Sequence, residues 1–162
     1  MDGVLLLELV ILCVCKLIFI DIWTHLCYRL IGIGKDMYNI EFYSTEDGVS
    51  ELWNFLDELQ RKAATSKDAR IQHKQIVLYI QLLEDHGTRL GENITKHLTE
   101  DIWELRPGNN RVLYFYHREN TYVLLHQFRK KSQKTPRREI EKAKAERDDW
   151  IARKGENDGN ME

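Results

Sequence analysis

Residues 101–129 read DIWELRPGNNRVLYFYHRENTYVLLHQFR, and this stretch decides the fold. Three apolar runs lie in it, from Ile102 to Leu105, from Val112 to Tyr116 and from Tyr122 to Phe128. Pro107-Gly108-Asn109-Asn110 separates the first two and Arg118-Glu119-Asn120 the second two. Both separators have turn chemistry, because proline fixes φ while glycine and asparagine accept the left-handed region. Each run is too short for a stable helix and is rich in aromatic and branched side chains. The spacing therefore predicts strands over 101–106, 111–117 and 121–128, joined as an antiparallel meander.

Working outward toward the N-terminus, residues 88–100 read as a connection with a short apolar segment around Ile94 and Leu98. Before it the period changes to that of a helix. Leu52, Phe55, Leu56 and Leu59 recur at i, i+3, i+4 and i+7, and Ile76, Val77, Ile80 and Leu83 mark a second helix. Thr65-Ser66-Lys67-Asp68 breaks the pair, and Gly87 is placed to end the second helix. Residues 38–43 alternate with Tyr38, Ile40 and Phe42 on one face, the pattern of a strand.

Toward the C-terminus, Thr135-Pro136 has the form of a helix start, with Thr135 as cap and Pro136 at the first helical position. The helix is expected to reach about Arg153, with a polar, disordered tail over 154–162. The order strand, two helices, three strands, helix predicts an α+β domain over 37–153. Its helices are expected on one face of a small, antiparallel-rich sheet.

Residues 1–36 differ in kind. Val4 to Cys15 is apolar except for Glu8, and Lys16, Asp21, His25 and Arg29 follow. The stretch is long enough to span a bilayer, but each charge near the centre would cost about 2.5–3.5 kcal/mol. Three readings stay open: a membrane-associated helix, an additional packed helix, and an extension upstream of a start at Met37. All three cysteines, Cys13, Cys15 and Cys27, fall in this segment, so no disulfide framework is expected in the domain.

Charge carries the functional signal. The 162-residue chain has a formal net charge of −2, yet residues 106–138 contain nine Lys or Arg and one acid, Glu119. Such a concentration focuses a positive field that net charge conceals. Arg106 ends one predicted strand and Arg111 begins the next, so they should sit close together. Arg129, Lys130 and Lys131 follow the last strand, and Lys134, Arg137 and Arg138 lead into the helix. Arginine forks onto phosphate, lysine supplies mobile point charge, and a helix start offers backbone N–H groups to an anion. His126 reads either as a satisfied histidine beside the core or as a substrate contact, sharing a face with Leu124 and Phe128 by strand alternation. No metal-ligand spacing and no glycine-rich phosphate loop occurs, so neither metal nor cofactor is predicted. Cleavage of RNA, passive nucleic-acid binding and simple solvated charge all fit the residues alone.

Several landmarks point further: residues 38–43 (YNIEFY), 83–91 (LEDHGTRLG), 96–98 (KHL), 102–106 (IWELR), 111–114 (RVLY), 124–131 (LLHQFRKK) and 133–136 (QKTP). In this order they resemble the HigB-like branch of the RelE toxin superfamily, also described as phage-derived Gp49-like proteins. The resemblance covers residues 37–150. It implies the toxin of a type II toxin–antitoxin system, a cytoplasmic endoribonuclease that cleaves mRNA on the ribosome. It also implies a helix-turn-helix antitoxin partner of the HigA type. The family's basic residues correspond to Arg106, Arg111, Lys130 and Lys131, with Lys96 and His126 as secondary candidates. Two departures stand out. Some members of the superfamily carry a tyrosine after the last strand, whereas the last tyrosine here is Tyr122, and Gln127 replaces a customary glycine. The general base is left unassigned.

Overall fold

The computed structural model describes residues 37–131 and 134–158. The readings made for residues 1–36, for Gln133 and for residues 159–162 lie outside them. Chain order is β1 (Asn39–Phe42), α1 (Glu51–Lys62), α2 (Lys67–His86), a 3-10 turn (Gly87–Leu90), β2 (Thr95–Thr99), β3 (Ile102–Leu105), β4 (Asn110–His117), β5 (Thr121–Arg129) and α3 (Arg137–Asp158). The fold is α+β. Its five-stranded sheet has the order β1-β5-β4-β3-β2. β2 through β5 pair antiparallel in succession, and β1 lies parallel to β5 with Asn39 opposite Thr121.

The helical hairpin forms where the sequence period places it. The Ser50 side chain accepts from the Trp53 N–H and that of Ser66 from the Ala69 N–H, so each helix starts on a serine cap. A cap of this kind stabilises a helix by about 1 kcal/mol. Leu52, Leu56 and Leu59 of α1 and Ile76 and Leu83 of α2 are buried against Leu105, Val112, Tyr114, Tyr122 and Leu124 of the sheet. Gly87 ends α2 at φ +60, where an added Cβ would come within 2.8 Å of the Tyr122 hydroxyl and the Tyr38 ring. Glycine meets both demands, since it has no Cβ and tolerates positive φ.

Three expectations need correction. First, the helices occupy both faces of the sheet, not one. Leu113, Phe115, Val123 and Leu125 point away from the hairpin and pack on Ala143 and Trp150 of α3. β4 and β5 carry consecutive apolar residues with little alternation, and a strand apolar on both sides needs cover on both. Second, Thr95–Thr99 is a strand where the sequence suggested a connection. Leu98 is its single strongly apolar residue, and it lies at the sheet edge, where charged and polar side chains are normal. Third, α3 begins at Arg137 and runs past Arg153 to Asp158. The Pro136 carbonyl accepts from the Ile140 N–H, placing the cap position one residue later than expected. The Thr135 hydroxyl donates instead to Glu104 Oε2 at 2.5 Å.

The far end of α3 is fastened to the β1 edge. The Tyr43 hydroxyl donates to Asp149 at 2.9 Å, and the Arg153 guanidinium lies 5.5 Å from the centre of the Tyr43 ring. Burial, helped by the Asp149 carboxylate, pushes the Tyr43 phenol up to about 12. Trp150 stacks edge-on against Phe115 and His117.

Candidate nucleic-acid interface

The Arg106–Asn110 turn, the end of β5 and the start of α3 all lie at one end of the sheet. Asn110 is registered with Arg129 and Arg111 with Phe128, and the Lys130 N–H donates to the Asn109 carbonyl. α3 starts here because Thr135 bonds Glu104 of β3, and it then runs along the sheet to reach His117 at the other end. The fold therefore collects Arg106, Arg111, Arg129, Lys130, Lys131, Lys134, Arg137 and Arg138 at this end. Arg118, the ninth cation of the run, sits in the opposite turn. Lys96 joins the cluster, since β2 sets it directly across from Glu104. Arg129, Lys131, Lys134, Arg137 and Arg138 are exposed and Lys130 is half-buried.

Beneath the cations is a buried carboxylate. The Glu104 side chain is 3% exposed, with Oε1 lying 3.2 Å from Arg106 Nε and 3.3 Å from Arg111 Nε. Both nitrogens are buried and meet that oxygen as ion pairs without well-directed hydrogen bonds. Arg106 stays partly open, with its side chain 23% exposed and Nη1 donating to the Glu92 carbonyl at 2.7 Å. Arg111 turns inward and its side chain is 7% exposed. Its Nη1 donates to the carbonyls of Gly108 and Asn110 at 2.8 and 2.6 Å, so it braces the turn from within. Burial lowers the Arg111 pKa from its ordinary value. The neighbouring Glu104 opposes that shift, and the like charge of Arg106 adds to it.

His126 is 1% exposed and faces α3. Its Nδ1 is 2.6 Å from Glu146 and its Nε2 is 3.4 Å from Glu139. Strand alternation had put it on the face of Leu124, and the structure does not. Val112 and Tyr114 of β4 are opposed by Gln127 and Leu124 of β5, so β5 carries one extra residue there. A bulge of this kind reverses the face of every side chain beyond it. His126 and Phe128 thus lie under α3 while Leu124 lies under the hairpin. Both ring nitrogens of His126 are directed at α3 carboxylates, and the residue clasps the helix to the sheet.

Glu104 and the bond from Thr135 escaped the sequence reading. The available signal was a carboxylate on the strand face shared with Ile102, followed two and seven residues later by arginines that it could neutralise. Among the described residues no group of His, Cys, Asp and Glu could hold a metal ion. No helix among them is long and apolar enough to cross a membrane.

A family profile described as phage-derived protein Gp49-like (DUF891) matches residues 55–148, a span holding α2, β2 to β5 and the start of α3. The chain belongs to the Gp49-like family. The whole Glu104 network and the whole basic end lie inside the matched span of this Gp49-like chain. Two solved structures are similar to it at low identity. The YoeB–YefM complex from Staphylococcus aureus aligns with a TM-score of 0.37 at 13% identity, covering 56% of this chain and 93% of that one. The toxin–antitoxin complex RelBE2 from Mycobacterium tuberculosis aligns with a TM-score of 0.35 at 16% identity, covering 61% and 98%. A search of curated proteins returned no match to the Gp49-like chain.

Proposed function

We propose that this chain is the toxin of a type II toxin–antitoxin pair and an endoribonuclease acting on mRNA in the cytoplasm, on ribosome-bound messages. The observation that carries the reading is the gathering of sheet and helix cations around one end of the sheet. Membership of the Gp49-like family supports it, as does the likeness of residues 37–150 to HigB-like toxins. In cleavage of RNA through its own 2′-hydroxyl, that hydroxyl gives up its proton, the 2′-oxygen bonds to phosphorus, the bond from phosphorus to the 5′-oxygen breaks, and the 5′-oxygen takes up a proton. Negative charge accumulates on the non-bridging oxygens in between. Positioned cations lower the energy of that state more than that of the starting diester. Arg106, Lys130 and Lys131 are assigned to this charge, with Lys96, Arg129, Lys134, Arg137 and Arg138 holding the flanking phosphates. Arg111 and His126 serve from inside, one bracing the turn and the other the helix. The natural partner is a HigA-like helix-turn-helix antitoxin.

The second reading is RNA binding without cleavage. It is favoured by the burial of His126 between two carboxylates, which withdraws a histidine that the sequence offered as a substrate contact. Expression of the chain with and without its neighbouring gene, with RNA ends mapped on translated messages, separates the two. Growth arrest relieved by the neighbour, with new RNA ends that vanish in Arg106→Ala and Lys131→Ala variants of unchanged stability, is the expected result. RNA binding without new ends, either in cells or on purified ribosomes, would leave the second reading standing and remove the first.

A further inference from the structure

The basic end holds its cations on two separate elements. Arg106 and Arg111 belong to the sheet, while Lys134, Arg137 and Arg138 belong to the approach and first turn of α3. Nothing in chain order fixes one set against the other. One side chain touches both the arginines of the turn and the approach to the helix. Glu104 Oε1 faces both arginines at 3.2 and 3.3 Å, and Oε2 accepts from the Thr135 hydroxyl at 2.5 Å. This carboxylate is buried, and a buried carboxylate is costly unless every oxygen is satisfied. Glu104 achieves that only when the turn and the start of α3 are both in place.

We propose that Glu104 is the positioning residue of this site, and that the Thr135 hydroxyl locks the helix-borne cations in register with Arg106 so that a single RNA backbone meets both sets. The role rests on the endoribonuclease reading above. It also explains the placement of an acid in a site for anions. Glu104 weakens ground-state attraction for phosphate by offsetting positive charge, and in return it fixes where that charge sits. Fixed geometry acts on the rate of the chemical step, whereas total charge acts on binding.

That division gives the test. Wild-type, Glu104→Gln, Thr135→Val and Thr135→Ser proteins are compared for cleavage of an RNA on ribosomes, for affinity to a single-stranded RNA oligonucleotide, and for thermal midpoint. Glu104→Gln is expected to lower kcat by about tenfold or more while RNA affinity is unchanged or tighter, because a negative charge has left the site. Thr135→Val, which keeps both ion pairs, is expected to lower kcat about threefold to tenfold at unchanged affinity, and Thr135→Ser to restore it. A role confined to stability would instead lower activity and affinity together, in step with the midpoint, and would overturn the proposal. If Glu104→Gln does not fold, the Thr135 pair decides alone. Wild-type cleavage matched by the variants overturns this role and leaves the activity standing. A wild-type protein that cleaves nothing overturns the activity and this role with it.

Discussion

Replacing His126 with leucine should cost stability and leave the proposed RNA surface intact. The ring is buried, with Nδ1 2.6 Å from Glu146 and Nε2 3.4 Å from Glu139. Taking the hydrogen-bonding partner from a buried carboxylate typically costs about 3 kcal/mol, because the survivor is left without a partner in a medium of low polarity. Here the survivors are not abandoned. Lys142 Nζ lies 3.8 Å from the other oxygen of Glu146, and Arg138 Nε lies 2.8 Å from the other oxygen of Glu139. The two carboxylates also keep some contact with water. These neighbours reduce the expected loss to about 2 kcal/mol. Urea unfolding with an m value of about 2 kcal/mol per molar converts that into a midpoint lower by about 1 M. Adding Glu146→Leu to His126→Leu should recover part of the loss, since an apolar pair then replaces a carboxylate that has lost its nearest partner. A midpoint shift below about 0.3 M would refute the clasp. So would loss of RNA cleavage at an unchanged midpoint, which would make His126 a group acting on substrate.

Three other outcomes follow from the geometry. Lys130→Ala combined with Lys131→Ala should reduce the slope of log affinity against log salt for single-stranded RNA by about 1.4, from about 0.7 per phosphate contact. Arg118→Ala, at the opposite end of the sheet, should leave the slope alone, and an equal effect from it would dissolve the site. Gly87→Ala should lower the urea midpoint through about 2 kcal/mol of strain and clash with Tyr38 and Tyr122, whereas Gly48→Ala, at φ +77 in open space, should cost only about 1 kcal/mol. Tyr43 has its phenol raised from 10.0 to about 12 in the folded chain. A raised acid contributes stability that is complete below its unfolded value and is lost as pH rises through the folded one. Stability measured from pH 9 to about pH 12 should therefore fall less steeply in Tyr43→Phe than in the wild type. An identical slope in the two proteins would show that burial and Asp149 together do not hold the phenol neutral.

Much of the fold was legible because it rests on local signals. Ser50 and Ser66 stand ahead of helical periodicity, Gly87 follows it, and two turns of unmistakable composition divide three apolar runs. What escaped depends on neighbours that sequence does not list. β2 reads as a connection because an edge strand buries little and need not alternate. Coverage of both sheet faces was implicit in the unbroken run from Val112 to Phe115. That signal was outweighed by the expectation that a small antiparallel sheet is wetted on one side.

The site divides along the same line. That cations cluster between residues 106 and 138 is a property of composition, and the basic end follows once the meander is known. Which of those cations face the solvent is a property of packing. Arg106 and Arg111 look equivalent in sequence, on either side of one turn. A single buried acid separates them by holding Arg111 against the turn carbonyls and leaving Arg106 partly open. The bulge in β5 does the same to His126, since one extra residue moves it from the predicted face to the face under α3. In both cases an acid decides: Glu104, close in sequence to both arginines, and Glu146, twenty residues beyond His126. Assigning chemistry to a charged residue in this fold therefore requires knowing first which acid it must satisfy. A cation that its acid leaves partly open, as Glu104 leaves Arg106, can still meet an anion from solvent, whereas one drawn inside, as Arg111 is, cannot.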